Sequence, residues 1–389
     1  MAEIIAIICE YNPFHCGHKY QIDKIRERFP GSTIVAIMSG NITQRASFAM
    51  LDKYTRAKAA VSLGVNAVFE LPYPFSSSNA EIFASSAVKI ATEIGANYLC
   101  FGSESGNLDY LSSIADAIDS EIFENEIKDQ LNVRSESYIS AKEKALSKMG
   151  KSLPKSPNDI LGVEYVRAIK KHGSKMTPFV IKREGAGYSD LSVQGVMSAS
   201  AIRNEFYKSA TFLSVPDIAK EIYEADISAG AYLDESCASD FLFRFALMQE
   251  PEGYKTTFDT PDGCGYFISK IANDCSDSNE FFLRLSSKVW TSSRLKRILM
   301  YKLFGVESAD ESQIFTTLLA CDKTGRELVK EAKRKTSLSI LTKHSDAKSF
   351  DGEMLKNLEI SRRSDALYYT FLNKPQIPSD AYRKKTVIL

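Results

Sequence analysis

Short runs of apolar residues alternate with helical patterns along the first hundred residues of the chain. The apolar runs lie at residues 3–9, 33–38, 67–71 and 98–101, and the helical patterns lie between them at 17–28, 51–63 and 79–94. Short runs that are apolar at nearly every position are typical of strands buried on both faces of a parallel sheet. Their alternation with helices predicts βαβ units, which bind ligands at the carboxyl ends of their strands.

The pattern changes further along the chain. Residues 107–155 are charged and helical, and Phe179-Val-Ile181 predicts one more strand. After about residue 210 the strand signal fades. Longer helical patterns follow at 215–250, 278–305, 311–335 and 352–372. We therefore predict an α/β fold in which a Rossmann-like parallel-sheet domain (residues 1–210) is followed by a mainly α-helical domain (residues 211–389).

Composition and charge narrow the class of protein. The chain has 389 residues, of which 49 are basic and 49 acidic, and this balance excludes a wholly basic nucleic-acid coat but not a local basic face. No apolar run approaches the roughly 18 residues of a membrane span, and residues 1–5 lack the positive flank of a signal peptide. The seven cysteines form no Cys-x-x-Cys pair, so we expect reduced thiols. These features predict a soluble cytoplasmic protein.

The strongest candidate for chemistry is Asn12-Pro-Phe-His-Cys-Gly-His18, directly after the first predicted strand. His15 and His18 lie three residues apart at a helix start, so both rings project from the same side. Gly17 lets a phosphate approach the backbone, and the helix N-terminus favours an anion there. We predict that the two histidines stabilise charge at the α-phosphate of a nucleotide without a protein nucleophile. The alternatives are an incidental pair or metal ligation, although no other Cys/His pair would complete a closed metal site.

This motif resembles the HxGH signature of the nucleotidyltransferase superfamily of HUP/HIGH type, which includes class I aminoacyl-tRNA synthetases and small adenylyltransferases. The resemblance implies a Rossmann-like domain that binds ATP against the motif. A later segment, Ser198-Ala-Ser-Ala-Ile-Arg203, is similar to the serine-rich, arginine-ended motif of the small adenylyltransferases. The hydroxyls of Ser198 and Ser200, the helix N–H groups and the guanidinium of Arg203 suit the β- and γ-phosphates. The alternative is a plain helix N-cap with a surface arginine.

Further segments narrow the resemblance. They are Glu10-Tyr-Asn-Pro-Phe-His-Cys-Gly-His18, Met38-Ser-Gly-Asn-Ile-Thr-Gln-Arg45, Asp52-Lys-Tyr-Thr-Arg-Ala57, Glu70-Leu-Pro72, Ser156-Pro-Asn-Asp-Ile-Leu-Gly-Val-Glu-Tyr165, Arg183-Glu-Gly-Ala-Gly-Tyr188 and Thr324-Gly-Arg-Glu-Leu328. Each is a weak signal alone. In this order they resemble the bacterial tRNA(Met) cytidine acetate ligase family over nearly the whole chain.

The resemblance implies an ATP-dependent ligase that activates acetate as acetyl-adenylate and acetylates N4 of the wobble cytidine (C34) in elongator tRNA(Met). The expected ligands are ATP, Mg²⁺, acetate and this tRNA, and the expected catalytic residues are His15 and His18. The implied ATP-site residues are Ile7, Ile8, Cys9, Glu10, Tyr11, Asn12, Pro13, Phe14, His15, Cys16, Gly17, His18, Lys19, Tyr20, Gly102, Asn158 and Arg183. To these we add Ser198, Ser200 and Arg203.

Elementary chemistry agrees with these positions but leaves alternatives open. Gly102 ends a predicted strand, where a side chain would obstruct a nucleotide. Asn158 is either a helix cap or a contact to adenine or ribose, and Arg183 meets either a phosphate or water. Five residues after the second predicted strand have no assigned role: Gln44, Arg45, Asp52, Lys53 and Arg56. The cluster suits contacts to acetate or the cytosine ring, and a solvated helix face explains the last three residues equally well.

Residues 281–303 carry six basic residues and no acidic residue. The spacing predicts a helix capped by Ser292 or Ser293, with Arg294 and Arg297 on an outward face. Basic helices with aromatic neighbours suit phosphate contact and base stacking on an RNA loop, although an ordinary solvated helix is the alternative. The predicted nucleic-acid contacts are Lys288, Arg294, Lys296 and Arg297.

Two other functions fit parts of the sequence. A small-molecule adenylyltransferase of cofactor biosynthesis would explain the HxGH motif, but it leaves the second predicted domain without a role. A nucleotide-regulated RNA-binding protein without turnover would explain the basic helix, but an intact HxGH motif argues against it.

Overall fold

The architecture is a mixed sheet covered by helices on both faces, seen in a computed structural model that describes residues 2–131, 138–183 and 197–389. In these ranges the strands are β1 (Ile4–Cys9), β2 (Thr33–Ser39), β3 (Ala67–Leu71), β4 (Tyr98–Ser103), β5 (Thr177–Lys182), β6 (Phe315–Cys321), β7 (Ser339–Leu341) and β8 (Val387–Ile388). Their order is β5-β4-β1-β2-β3-β6-β7, and β8 pairs with β6. The first five strands run parallel, so their carboxyl ends meet at one edge of the sheet.

The helices of the described ranges follow the strands in the order that the sequence predicts for the first half. They are α1 (Cys16–Arg28), α2 (Lys53–Ser62), α3 (Ala80–Ile94), α4 (Leu108–Ile118), α5 (Glu121–Leu131), α6 (Tyr138–Lys148), α7 (Pro157–Lys171), α8 (Ala199–Ser209), α9 (Asp217–Ser228), α10 (Glu235–Leu247), α11 (Cys264–Asn273), α12 (Ser278–Arg284), α13 (Ser292–Phe304), α14 (Lys323–Lys335) and α15 (Gly352–Thr370). None of them, within these ranges, combines the length and the hydropathy that a bilayer crossing requires.

The unbroken apolar pattern of β1 follows from helices on both faces of the sheet. Ile5 and Ile7 pack into a core that includes residues of α2 and α9. Ala6 and Ile8 point the other way, into a core that includes residues of α3, α4 and α7. Because successive side chains of a strand alternate between faces, a strand covered twice is apolar at every position. The predicted α/β fold with a parallel sheet is confirmed.

The helical pattern predicted at residues 311–335 is wrong for its first part. Residues 315–321, predicted as part of a helix, form β6, which lies antiparallel to β3 with Cys321 opposite Ala67. This run is apolar and short, and hydrophobic periodicity alone does not separate such a strand from a buried helix turn. Helices α10 to α13 and α15 share a core that also includes Ile42, Phe48 and Tyr73 from the first part of the chain. The division into two domains at residue 210 stays a prediction.

The charged start of α2 is buried rather than solvated. Asp52, Lys53 and Arg56 are 2%, 5% and 0% exposed, so the interpretation as a solvated helix face is wrong. Asp52 caps the helix by accepting the N–H of Tyr54 at 2.7 Å, and it also accepts the hydroxyl of Tyr369 on α15. Each charge has partners that the sequence pattern does not reveal.

Lys53 ties α15 to the sheet. Its Nζ lies 2.6 Å from Oε1 of Glu70 on β3 and 2.6 Å from Oδ2 of Asp365 on α15. Asn41 donates to the other oxygen of Asp365 at 2.9 Å. Burial raises the pKa of Glu70 to about 7, although Lys53 opposes the shift. The cluster holds two carboxylates and one ammonium away from water, so it is stable only while the lysine is present.

We predict that Lys53→Met lowers the free energy of unfolding by about 3–5 kcal/mol, because it leaves two buried carboxylates without a cation. Lys58→Met is the matched control, since Lys58 is an exposed residue of the same helix and its loss changes stability by no more than about 0.5 kcal/mol. Urea denaturation measures both variants. Equal losses in the two variants would contradict a structural role for the buried lysine.

The loss of unfolding free energy caused by Lys53→Met also depends on pH. A carboxyl group whose pKa is higher in the folded protein than in the unfolded chain binds more protons when folded. Stability therefore falls as pH rises between its unfolded value of 4.5 and about 7 for Glu70. We expect the variant to lose more unfolding free energy at pH 8 than at pH 5, because at pH 5 protonation neutralises the buried carboxylates that have lost their lysine.

Candidate active site

Two histidines cap helix α1 together, His15 directly before the helix and His18 in its first turn. His15 precedes the first turn of α1, and its Nδ1 accepts the N–H of Gly17 at 3.1 Å. The N–H of His15 donates in return to Nδ1 of His18, also at 3.1 Å. The two rings stack with their centroids 3.8 Å apart. Because a helix start leaves N–H groups without partners, these reciprocal bonds fix both rings at the carboxyl end of β1.

The capping bonds also fix the protonation state of the rings. A nitrogen that accepts a hydrogen bond carries no proton, so the neutral form of each ring has its proton on Nε2. Burial and, to a smaller extent, the charge of Arg183 together lower the pKa of His15 to about 4. Burial, His15 and Arg183 hold the pKa of His18 well below its ordinary value. At neutral pH the site therefore has two uncharged imidazoles, each with an Nε2–H donor.

Contacts from distant parts of the chain hold the histidine segment in place. Asn12 accepts the N–H of Met50 through Oδ1 at 2.9 Å, and its carbonyl accepts Nη1 of Arg203 at 2.6 Å. The N–H of Phe14 donates to the hydroxyl of Tyr223 on α9 at 3.1 Å. The segment is thus fixed from α8, α9 and the residues before α2.

Arg56 joins the carboxyl ends of β1 and β2 although it lies on α2. Its Nη1 donates to the carbonyl of Glu10 at 2.5 Å, its Nη2 to that of Gly40 at 2.6 Å, and its Nε to that of Leu51 at 2.9 Å. The side chain is fully buried. Sequence reasoning left its role open, because no residue near Arg56 in the chain reveals carbonyl partners on other strands.

Gly102 and Arg183 lie together beside the histidines. Gly102 is near the end of β4, and a Cβ there would lie 3.4 Å from Cγ of Arg183. The N–H of Arg183, just after β5, donates to the carbonyl of Ser103 at 2.9 Å. Its guanidinium is near enough to lower the pKa of both histidines. The structure therefore brings a positive charge, a strand end without a side chain and the two rings into one place.

Asn158 is not the cap of its helix. Helix α7 begins at Pro157 after Ser156, so the cap alternative is wrong. Nδ2 of Asn158 instead donates to Oε1 of Glu104 at 2.6 Å. The other oxygen of Glu104 is buried without a hydrogen-bond partner among the described residues. Sequence reasoning missed Glu104, for which the available signal is a carboxylate directly after the fourth strand.

The serine-rich segment divides between its two interpretations. Ser198 is a helix cap, since its Oγ accepts the N–H of Ala201 at 3.2 Å. Arg203 is not a plain surface arginine, because it contacts the carbonyl of Asn12 as well as Oγ of Ser200 at 3.3 Å. Residues 184–188, which complete the segment that begins at Arg183, lie outside the described residues.

Within the implied stretch from Ile7 to Tyr20, several side chains face the core rather than a cleft. Ile7, Tyr11 and Phe14 are at most 1% exposed, so their side chains pack in the core and anchor the segment there. Burial raises the pKa of the Cys16 thiol. A thiol that resists ionisation is a poor nucleophile, in agreement with chemistry that depends on positioned donors.

A short hairpin formed by residues 42–48 stands next to this site. Ile42 and Phe48 pair across it, and the N–H of Thr43 donates to the carbonyl of Ser47 at 2.9 Å. Gln44 donates its N–H to Oε1 of Glu10 at 2.8 Å. Arg45 is exposed at its tip. The hairpin is therefore anchored to the residue that follows β1.

The basic helix α13 is only partly exposed. Thr291, not Ser292 or Ser293, caps it. Arg297 is 7% exposed, so the prediction that it lies on an outward face with Arg294 is wrong. The apolar residues that form the core of this region occupy more of the helix surface than the sequence spacing indicates.

The other three predicted nucleic-acid residues differ in their surroundings. Arg294 is half-buried and pairs with Asp259 at 2.6 Å. Lys288 is exposed before the helix, and Lys296 lies 4.9 Å from the ring centroid of Phe282. Lys288 and Lys296 are thus the two lysines of this set that can reach a ligand from outside.

Comparisons with known proteins place the chain in a family. A model described as HIGH Nucleotidyl Transferase matches residues 2–383. A tRNA(Met) cytidine acetate ligase of Clostridium novyi (strain NT) is 34% identical over 364 residues, covering 87% of this chain and 90% of the relative. A second, of Clostridium acetobutylicum, is 31% identical over 417 residues, covering 99% and 100%. The chain belongs to this family of HIGH nucleotidyltransferases, the tRNA(Met) cytidine acetate ligases.

Solved structures of the family share the whole fold. Thermotoga maritima TmcAL bound with alpha-thio ATP superimposes with a TM-score of 0.89 at 25% identity, covering 99% of both chains. The apo form of the same protein gives a TM-score of 0.90 at 26% identity over 100% of both chains. The family fold therefore includes the helices and strands that follow residue 210.

We predict that His15 titrates at about pH 4 rather than near 6.5 in a histidine NMR titration, because burial and Arg183 disfavour the charged ring. The unfolded chain takes up this proton near its ordinary pKa, so the free energy of unfolding falls as pH decreases from about 6.5 to 4. Arg183→Gln raises the midpoint, since it removes a nearby positive charge. Lys182→Gln, at the exposed neighbouring position, is the control. A midpoint near 6.5 in the unaltered protein would contradict the neutral pair.

Proposed function

We propose that this chain is an ATP-dependent tRNA(Met) cytidine acetate ligase that acetylates N4 of the wobble cytidine of elongator tRNA(Met). The observation that carries the proposal is the pair of stacked, neutral histidines at the carboxyl end of β1. The relatives named for this activity match the helical part of the chain as well as the sheet. That breadth weighs against a small-molecule adenylyltransferase, which accounts for the sheet alone.

The α-phosphate of ATP binds between the histidine segment and Arg183. Two Nε2–H donors and a guanidinium stabilise negative charge on its oxygens, and the N-terminus of α1 adds its dipole. Gly102 leaves the strand end open for the nucleotide, and Asn158 lies beside it on Glu104. Arg203, with Ser198 and Ser200, adjoins the same segment and suits the other phosphates. The Thermotoga maritima relative was solved with an ATP analogue bound, which supports ATP as the ligand.

The reaction proceeds by two displacements. A carboxylate oxygen of acetate bonds to the α-phosphorus while the bond to the pyrophosphate oxygen breaks, giving acetyl-adenylate and pyrophosphate. The N4 amine of cytidine then bonds to the acetyl carbon, the bond from that carbon to the bridging oxygen breaks, AMP leaves with this oxygen, and the amine loses a proton. An activated acyl group is needed because an exocyclic amine is a weak nucleophile. The enzyme supplies position and charge stabilisation to both steps.

Mg²⁺ accompanies the triphosphate in this proposal. The described residues contain no group of three or more His, Cys, Asp or Glu side chains arranged to hold a metal ion. This fits Mg²⁺, which is commonly held by substrate phosphates and few protein carboxylates. It supplies charge neutralisation at the phosphates when bound.

The anticodon loop of the tRNA binds on the side of the helical region that carries Lys288 and Lys296. The wobble base is presented unpaired, because its amine is engaged in a base pair otherwise. Arg294 is oriented by Asp259 and contributes from the edge of this face, whereas Arg297 is too buried to take part. A tRNA substrate implies that the enzyme works in the cytoplasm.

The experiment that tests the function is mass analysis of elongator tRNA(Met) after incubation with the protein, ATP and isotope-labelled acetate. We expect one labelled acetyl group on the wobble cytidine, together with AMP and pyrophosphate. Formation of AMP with a different small acid, or with no tRNA product, would contradict the assignment.

We predict that His18→Ala lowers acetate-dependent pyrophosphate release by about 100-fold or more, as the loss of one transition-state donor does elsewhere. Retardation of tRNA in a gel is nearly unchanged, because His18 lies in the nucleotide site. Glu27→Ala, at an exposed residue of α1, is the matched control and retains activity. Full turnover by His18→Ala would remove the histidine pair from the mechanism.

A further inference from the structure

A cavity of about 70 Å³ lies between the hairpin of residues 42–48 and helices α10, α12 and α13. Residues 46–48 line it from the hairpin, and Glu235, Phe282 and Lys296 line it from the helical region. It opens to solvent on one side. Its position matters because the same hairpin is bonded through Gln44 to Glu10, at the end of β1.

The walls of the cavity combine an aromatic ring with a cation. Nζ of Lys296 lies 4.9 Å from the centroid of Phe282. Among the described residues, Lys296 forms no ion pair within 4.0 Å, although the charge of Glu235 acts on it from the opposite wall. Phe282 is partly exposed, and Leu242 and Leu299 form an apolar floor. An ammonium group held beside an aromatic ring, without a carboxylate partner, is available to an anion.

These groups match a nucleobase better than other small ligands. A base needs an aromatic or apolar surface to stack on and hydrogen-bonding groups at its edge. The carboxylate of Glu235 and the hydroxyls of Ser47 and Ser239 can accept hydrogen bonds from an exocyclic amine. Lys296 can donate to the base or pair with the adjoining phosphate. A free phosphate would leave the apolar floor unused, and a lipid chain would bury the two charges.

We propose that this cavity, referred to below as the Phe282 pocket, binds one unpaired base of the RNA substrate, a neighbour of the reacting cytidine. The inference rests on the proposed tRNA function and adds a subsite to it. Gln44 faces Glu10 and Ser78, whereas residues 46–48 face the pocket. The hairpin therefore separates the two places, so that the base in the pocket is not the base being acetylated. Holding a neighbouring base splays the loop and leaves the wobble base unstacked.

The test is a coupling experiment with synthetic anticodon stem-loop RNA of tRNA(Met). Each loop nucleotide in turn is replaced by an abasic nucleotide, and binding is measured for the unaltered protein and for Phe282→Leu. In the unaltered protein, one abasic position other than the wobble position weakens binding by roughly tenfold, as the loss of one stacked base does. In Phe282→Leu the same replacement has less than about a twofold effect, because the partner of the base is already gone.

Two controls separate stacking from damage to the fold. Phe282→Tyr keeps the ring and retains the coupling, whereas Tyr266→Leu, at an exposed aromatic residue on α11, leaves the abasic profile unchanged. Thermal unfolding of each variant shows whether it is folded. Lys296→Gln reduces the slope of log affinity against log salt by about one, and Lys128→Gln on α5 does not.

The outcomes distinguish the subsite from the function. If the protein acetylates tRNA but Phe282 is coupled to no loop position, the Phe282 pocket is not a base site and the ligase function stands. Coupling to the wobble position itself also overturns the inference, because the pocket would then hold the reacting base. If labelled acetate never reaches tRNA, the function fails and the subsite fails with it.

Discussion

The N–H groups at the start of α1 are the constraint on which the active site depends. A helix start without partners for these groups is costly, and in this protein two imidazole nitrogens serve as the partners. A protonated ring could not accept these bonds. The two rings can therefore cap the helix only while they are uncharged. Because their Nδ1 atoms accept these bonds, their protons are on Nε2, where they can be donated to a ligand. The local fold and the chemistry of the site share the same pair of hydrogen bonds.

Two buried cations support that arrangement in different ways. Parallel strands that end together gather carbonyl oxygens at one edge. The planar fork of Arg56 donates to two of them, those of Glu10 and Gly40, and to the carbonyl of Leu51 before α2, and it has no carboxylate partner among the residues that the structure describes. Lys53, three residues earlier, is a compact charge between two carboxylates from distant elements. Arg56 fixes the residues that follow β1 and β2, next to the histidines, and Lys53 fixes helix α15 against the sheet. The site is rigid because its supports come from the whole chain.

What the sequence predicts here depends on the range of the interactions. The βαβ pattern and the histidine motif are local, and the structure agrees with the fold that they predict. Arg56 looks like a solvated arginine, because its carbonyl partners belong to β1, β2 and the segment before α2. The sequence places Arg297 on an outward face for a similar reason, because only the packed core shows how α13 is rotated. The strand β6 escapes prediction because its partner, β3, lies some 250 residues earlier in the chain.

That separation affects how the protein is made. Lys53 reaches Asp365 across 312 positions of sequence, and β3 keeps an open edge until β6 arrives beside it. A ribosome releases the histidine motif, Lys53 and Glu70 early, yet it must deliver nearly the whole polypeptide before β6 pairs with β3 and Asp365 reaches the lysine. An unpaired strand edge is prone to wrong associations. The sheet therefore stays incomplete beyond β3 until late in the synthesis of the chain.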